Sequence, residues 1–243
     1  MAALCYRGGM ATDVHAAAQF YATRGGAVAA LLLRERLAAV WPDLGGRSLL
    51  GIGYTLPFLR VWRGTGRVVA LVPAQLGTAR WPPDGPGLSC TAEEDALPFA
   101  DLSFDRVLMV HGIEAAENAR AMLREVWRVL RDDGRLLVVA PNRSGIWAHA
   151  ESTPFGQGQP YSPGQIGRLL ARSLFRVERR ETALFVPPMQ SRLVLRGARL
   201  WESGGRAAPR FAGVTITEAT KDLYGAVPAG AKPRRRRVLV EAM

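Results

Sequence analysis

Five short apolar runs, each closed by a turn residue, constrain this chain more than any other feature. They cover residues 47–53, 67–72, 88–91, 105–110 and 135–140, and Pro73 and Pro141 stop the second and the fifth. A strand with one wet face alternates polar and apolar residues, whereas a run that is apolar throughout is covered on both faces. Helical patterns lie between the runs. Strand–helix alternation with short crossovers predicts right-handed βαβ units and a mostly parallel sheet. Ligands of such sheets bind beyond the carboxyl ends of the strands. The stretches to inspect are therefore 51–55, 72–74, 94–96, 111–114 and 141–144.

The helices have their own signals. Residues 14–41 read as helical, with Ala30, Leu33, Leu37 and Val40 on one face. Residues 117–130 place Ala119, Met122, Leu123, Val126, Val129 and Leu130 on one face, and Gly134 is a candidate left-handed cap. Ser162-Pro163 opens another helix, with serine as the cap and proline at the first helical position. Further on, 175–179, 184–186 and 214–219 are strand candidates, the last an antiparallel edge. Residues 190–202 read as one helix whose apolar face is Leu193, Leu200 and Trp201. Phe185, Trp201 and Phe211 read as core.

At 243 residues the chain suits one domain with short extensions. The division expected is a flexible 1–13, one domain over 14–230 and a basic tail over 231–243. Cys5 and Cys90 are too few for a disulfide scaffold, and His15, His111 and His149 are too scattered for a zinc site. No apolar run approaches the ~20 residues of a membrane span, and no secretory signal is visible. These readings predict a cytoplasmic chain with no metal and no membrane association. The formal net charge is +11, nearly all of it from arginine. Dispersed arginines read as codon bias over solvated faces. The Arg234-Arg235-Arg236-Arg237 run is the exception, and it leaves a nucleic-acid partner open.

Two long blocks carry a family resemblance. Residues 94–111 resemble the central block of class I S-adenosylmethionine-dependent methyltransferases, D-A…L-P-F-x-D-x-S-F-D-x-V followed by the fourth strand. Residues 123–137 resemble the family's E-x-x-R-V-L-x-P-G-G-x-L segment in order and spacing. The resemblance covers roughly residues 14–185. It implies a Rossmann-like, doubly wound, seven-stranded sheet with an antiparallel edge strand and helices on both faces. It also implies S-adenosylmethionine as cofactor, held by Gly51, Gly53, Tyr54, Asp95, Ala96 and His111. Asp95 would accept a hydrogen bond from the adenine amino group.

The chain departs from the family where the cofactor is gripped. The first motif, V-L-D-x-G-x-G-x-G, is here Leu49-Leu50-Gly51-Ile52-Gly53-Tyr54-Thr55-Leu56-Pro57. Gly51 stands at the acidic position, Gly53 keeps the first glycine, and Thr55 and Pro57 replace the other two. The second strand ends in Val72-Pro73-Ala74, where the family places an acid for the ribose hydroxyls. Losing that contact costs on the order of 1.5–3 kcal/mol, or ~10–150-fold in affinity.

Two functions follow. One is a methyltransferase of unknown substrate; the alternative is an inactive pseudo-methyltransferase serving as a binding or regulatory subunit. Methyl transfer needs alignment more than acid–base groups, so the sequence names no catalytic residue. His111 reads as a base, a substrate contact or a cofactor-lining residue, because an imidazole can take or give a proton at physiological pH. Glu114 reads as a partner for His111 or, in preference, as a surface acid at a helix start. Asn142 and Arg143 are candidate substrate contacts. Residues 147–161, with Trp147, Phe155 and Tyr161, read as a long loop over the strand ends where a lid or a protein partner would sit.

Overall fold

The computed structural model describes residues 14–223 apart from 65, 75–79, 83–86 and 206. The two expected tails, including the run of four arginines, lie outside the described residues. Seven strands form one sheet in the order β3-β2-β1-β4-β5-β7-β6. They are β1 (Leu49–Gly53), β2 (Val68–Pro73), β3 (Ser89–Ala92), β4 (Phe104–Val110), β5 (Leu130–Pro141), β6 (Phe175–Ala183) and β7 (Val214–Lys221). β1 pairs in parallel with β2 and β4, β2 with β3, and β4 with β5. β7 runs antiparallel to both β5 and β6 and sits between them, one place in from the edge.

Four of the apolar runs make strands with two faces to bury; the third run, β3, is an edge strand and is half-exposed to exposed. Leu49, Val68, Ala70, Leu108, Val110, Leu137 and Val139 face one core. Leu50, Ile52, Leu71, Val107, Met109, Leu136 and Val138 face the other. The alternation is the period-2 direction of side chains along a strand. Each of the larger of these side chains, fully buried, contributes about 1.5–3 kcal/mol.

Helix α2 (Arg24–Val40) covers the first core with Ala29, Leu33 and Leu37. Helix α3 (Ala119–Val129) covers the second with Met122, Leu123, Val126 and Val129. Helix α4 (Pro163–Arg172) joins it through Ile166 and Leu170. The Ser162 start is a full capping box, closed reciprocally with Gln165.

The single helix read over 14–41 is two. Helix α1 (Val14–Ala22) stops at Thr23, whose side chain accepts from the Gly26 backbone N–H and starts α2. The break lets α1 turn across the carboxyl ends of the strands. Gly134 is not a left-handed cap: α3 ends at Val129 and β5 begins at once. Residues 184–186 are not a strand, because Leu184 takes a φ of 61° and ends β6. The helix read over 190–202 breaks at Gly197 into α5 (Arg192–Arg196) and α6 (Ala198–Gly205). Its supposed core face points outward: Leu193, Leu200, Trp201 and Phe211 are exposed, and only Phe185 of the group is buried. Periodicity marked a face but not its direction.

Candidate functional site

Gly53 ends β1, Pro73 ends β2, and His111 follows Val110, the last residue of β4. Gly53 has a φ of 88°, and a Cβ there would collide with the Val110 carbonyl, so only glycine fits this turn against β4. Thr55 is fully buried, and its hydroxyl lies where a side chain at Gly51 would have to go. Two departures from the first motif are thus one exchange of volume. The Thr55 Oγ1 has no hydrogen-bond partner.

Tyr54 leaves this turn and packs with Ala17 and Val72, over the ends of β1 and β2. Tyr21 of α1 stacks on it, with ring centroids 5.6 Å apart and planes at 11°. The Tyr21 hydroxyl lies 2.7 Å from His111 Nε2. His111 Nδ1 lies 3.2 Å from Glu114 Oε1. A carboxylate only accepts, so the ring proton belongs on Nδ1, and Nε2 accepts from the phenol. Burial, reinforced by Tyr54 and Glu114, pushes the Tyr21 phenol well above its ordinary pKa, which keeps its proton in place.

His111 and Glu114 are both about 1% exposed, so the surface position read for Glu114 is corrected. His111 holds a φ of 52°, a left-handed conformation that costs a residue with a Cβ roughly 1–2 kcal/mol. The second carboxylate oxygen, Glu114 Oε2, is buried without a partner. Phe155 stands edge-on to His111 at 4.6 Å, and Trp147 packs on Phe155 at 5.2 Å. Trp147 and Phe155 therefore face inward and cover His111, while Tyr161 is half-buried against the second core.

Beside this cluster, α1, residues 152–157 and residues 186–190 enclose a cavity of ≈ 410 Å³. Phe20 and Trp147 line it, and both pack on Phe155, the ring that stands against His111. Gln19, Thr23, Thr153, Gln157 and Gln190 line it, and no charged side chain does among the described residues.

Asp95 and Ala96 are exposed beyond the end of β3. Glu94 turns inward instead and accepts from the Asn118 N–H at 2.7 Å, at the start of α3. Asn142 is structural, since its side-chain amide donates to the carbonyls of Arg210 and Ala212. Arg143 is exposed. The two blocks that carried the resemblance lock together. Arg128 donates to the carbonyls of Leu97 and Phe99 and to Asp101, and Glu125 accepts from the Leu97 N–H.

Residues 50–138 match the family described as a methyltransferase domain. Over that segment the chain is similar to the methyltransferase-domain family. An uncharacterized protein of Mycobacterium tuberculosis is 27% identical over 178 residues, covering 68% of this chain and 61% of that protein. The chain thus spans about three fifths of that relative's length. A solved S-adenosylmethionine-dependent methyltransferase of Thermotoga maritima is 17% identical, with a TM-score of 0.57 over 86% of this chain and 96% of its own. One from Archaeoglobus fulgidus is 18% identical, with a TM-score of 0.55 over 79% and 94%. These likenesses show the fold.

The cofactor of this domain family is S-adenosylmethionine. The Gly53 turn lies at the carboxyl end of β1, and the exposed Asp95 lies just beyond the end of β3. The ribose acid is missing, and the stacked rings of Tyr21 and Tyr54 stand over the ends of β1 and β2. Tyr21 was absent from the sequence-based candidates because nothing in its neighbourhood marks it. It lies 90 residues from His111, and only the turn at Thr23 brings the two together. Among the described residues no helix is long and apolar enough to cross a membrane, and no cluster of metal-ligating side chains occurs.

Proposed function

We propose that the chain binds S-adenosylmethionine across the carboxyl ends of β1 to β4 and methylates a small, neutral acceptor. The cofactor supplies an activated methyl group. Asp95 accepts from its adenine amino group, the Ala96 backbone flanks the ring, and the turn at Gly51, Gly53 and Tyr54 faces its methionine end with His111. The observation that carries this reading is the match of residues 50–138 to the methyltransferase-domain family, with Asp95 exposed beyond the end of β3. The uncharged lining of the adjacent ≈ 410 Å³ cavity supports a neutral acceptor. A cytoplasmic setting belongs to the same reading, supported by the free thiol of Cys90.

Calorimetric titration with S-adenosylmethionine tests the proposal. Binding tighter than ~100 µM (about −5.5 kcal/mol) is expected, weakened ~3–10-fold in Asp95→Ala, the worth of one hydrogen bond. No binding at millimolar cofactor overturns it. The second reading, an inactive binding subunit with a protein partner at residues 147–161, is favoured by the Tyr21–Tyr54 stack and by the missing ribose acid. It is the reading that a blank titration would leave.

A further inference from the structure

The segment between β6 and β7 presents an apolar face to solvent. Leu193 and Leu200 are 78% and 79% exposed, and Met189, Trp201 and Phe211 are exposed with them. Phe185, Leu200, Trp201 and Phe211 line one open groove of ≈ 680 Å³. Large apolar side chains gathered on one surface mark an interaction site. The charge around them has one sign. Residues 184–213 hold five arginines and one acid, Glu202. That acid is buried and accepts from the Phe185 N–H at 2.7 Å, so the segment shows no carboxylate to solvent. Arg192, Arg196, Arg199 and Arg210 are exposed. Arg210 lies over the ring of Phe211 at 4.7 Å, which sets its charge at the groove. Arg199 is paired with Glu35 of α2, whereas Arg192 and Arg196 make no ion pair among the described residues.

We propose that this face, formed by α5, α6 and Phe211, docks on the surface of an anionic lipid bilayer. Leucine, tryptophan and phenylalanine beside arginine are the side chains that such a surface takes. The apolar tips enter the boundary between headgroups and acyl chains, and the guanidinium groups stay at the lipid phosphates. The charge argues against a second copy as the occupant, because the arginines of two such faces would be brought together. The aliphatic tips of Leu193 and Leu200 argue against nucleic acid, since they offer bases nothing to stack on. Among the described residues no helix is long enough to cross a membrane, and docking needs none. The same segment walls the ≈ 410 Å³ cavity with Val186, Pro187, Met189 and Leu195. Docking thus sets that cavity beside the lipid. The proposal goes beyond the methyltransferase reading and does not depend on it.

The experiment mixes the full chain, without cofactor, with vesicles of one-third phosphatidylglycerol in phosphatidylcholine, and separately with phosphatidylcholine alone. Co-sedimentation reads binding, and quenching by lipid brominated on its acyl chains reads insertion. Trp201 is the reporter, because Trp41, Trp62, Trp81 and Trp147 are buried and Trp127 is half-buried. Binding to the anionic vesicles is expected to be at least ~10-fold tighter than to the neutral ones, and to weaken with salt. The quenching should vanish in Trp201→Phe while binding remains. Leu193→Ser with Leu200→Ser is expected to weaken binding ~10-fold or more. Arg192→Gln with Arg196→Gln is expected to weaken it ~10–30-fold. All four side chains are exposed, so these variants keep the fold, which circular dichroism checks. Absence of binding to anionic vesicles overturns the proposal. So does binding without Trp201 quenching, or binding that survives the leucine pair, since attachment through the arginines at 234–237 would give both. Sedimentation equilibrium covers the rival occupant. If vesicles bind nothing and the wild type is a dimer that the leucine pair disperses, the face belongs to a second copy.

Discussion

Gly51 and Thr55 show how a motif can change without the backbone changing. A Cβ at Gly51 would meet the Thr55 hydroxyl and the Leu59 side chain. An acid restored at residue 51 therefore has no room while threonine stays. Gly51→Asp alone is expected to cost about 1–3 kcal/mol by overpacking, read as a drop in the urea midpoint. Thr55→Gly beside it should recover most of that loss, a coupling that a double-mutant cycle measures. Additive losses would mean that the two positions are independent. Gly53 admits no such exchange, because its φ of 88° and the Val110 carbonyl both exclude a side chain.

At the scale of elements, the most legible parts were those tied by local periodicity. The apolar face of α3 faces its core as its spacing predicts, and the capping box of α4 starts where Ser162-Pro163 places it. The family blocks around residues 97–105 and 123–130 owe their form to each other. Arg128 holds the turn between β3 and β4 onto α3 through two carbonyls and Asp101. Arg128→Ala is expected to lose about 1.5–3 kcal/mol, the range for hydrogen bonds to a charged group. Hydrogen exchange should show the loss first in the backbone of residues 97–102. Uniform loss across the sheet would argue against a local clamp. The α5–α6 segment was misread because its apolar residues have the period of a buried helix. The break at Gly197 and the turn at Leu184 carry it to the surface instead.

Across the whole molecule, two carboxylates set the acid limit. Burial pushes the Asp105 carboxyl up, but hydrogen bonds from Ser48 and the charges of Arg131 and Arg106 outweigh it and hold it below its ordinary value. The hydrogen bond from Arg128 holds Glu125 down, against a smaller effect of burial. A carboxylate lowered in the folded state adds stability that is present above the usual carboxylate range. It is lost as pH falls from about 4 through the lowered values. Glu94, pushed up by burial, works against that slope. The urea midpoint is expected to be flat near neutrality and to fall below about pH 4. Asp105→Asn and Glu125→Gln should each flatten that fall; an unchanged slope in both would refute the assignment.

By itself the sequence determined the parallel strands β1, β2, β4 and β5, because a strand buried on both faces must be apolar throughout its buried length, and that pattern needs no knowledge of the neighbours. It also determined the methyltransferase blocks, whose residues interact within about thirty positions of one another. Only the tertiary structure decided the site. Tyr21, Tyr54, His111 and Phe155 come from four separate segments, and their contacts depend on how α1 turns at Thr23 and how residues 147–161 fold back over the strand ends. Tyr54, His111 and Phe155 were legible as candidates one by one, but no local pattern encodes their meeting with Tyr21, which lies 90 residues from His111 in the chain.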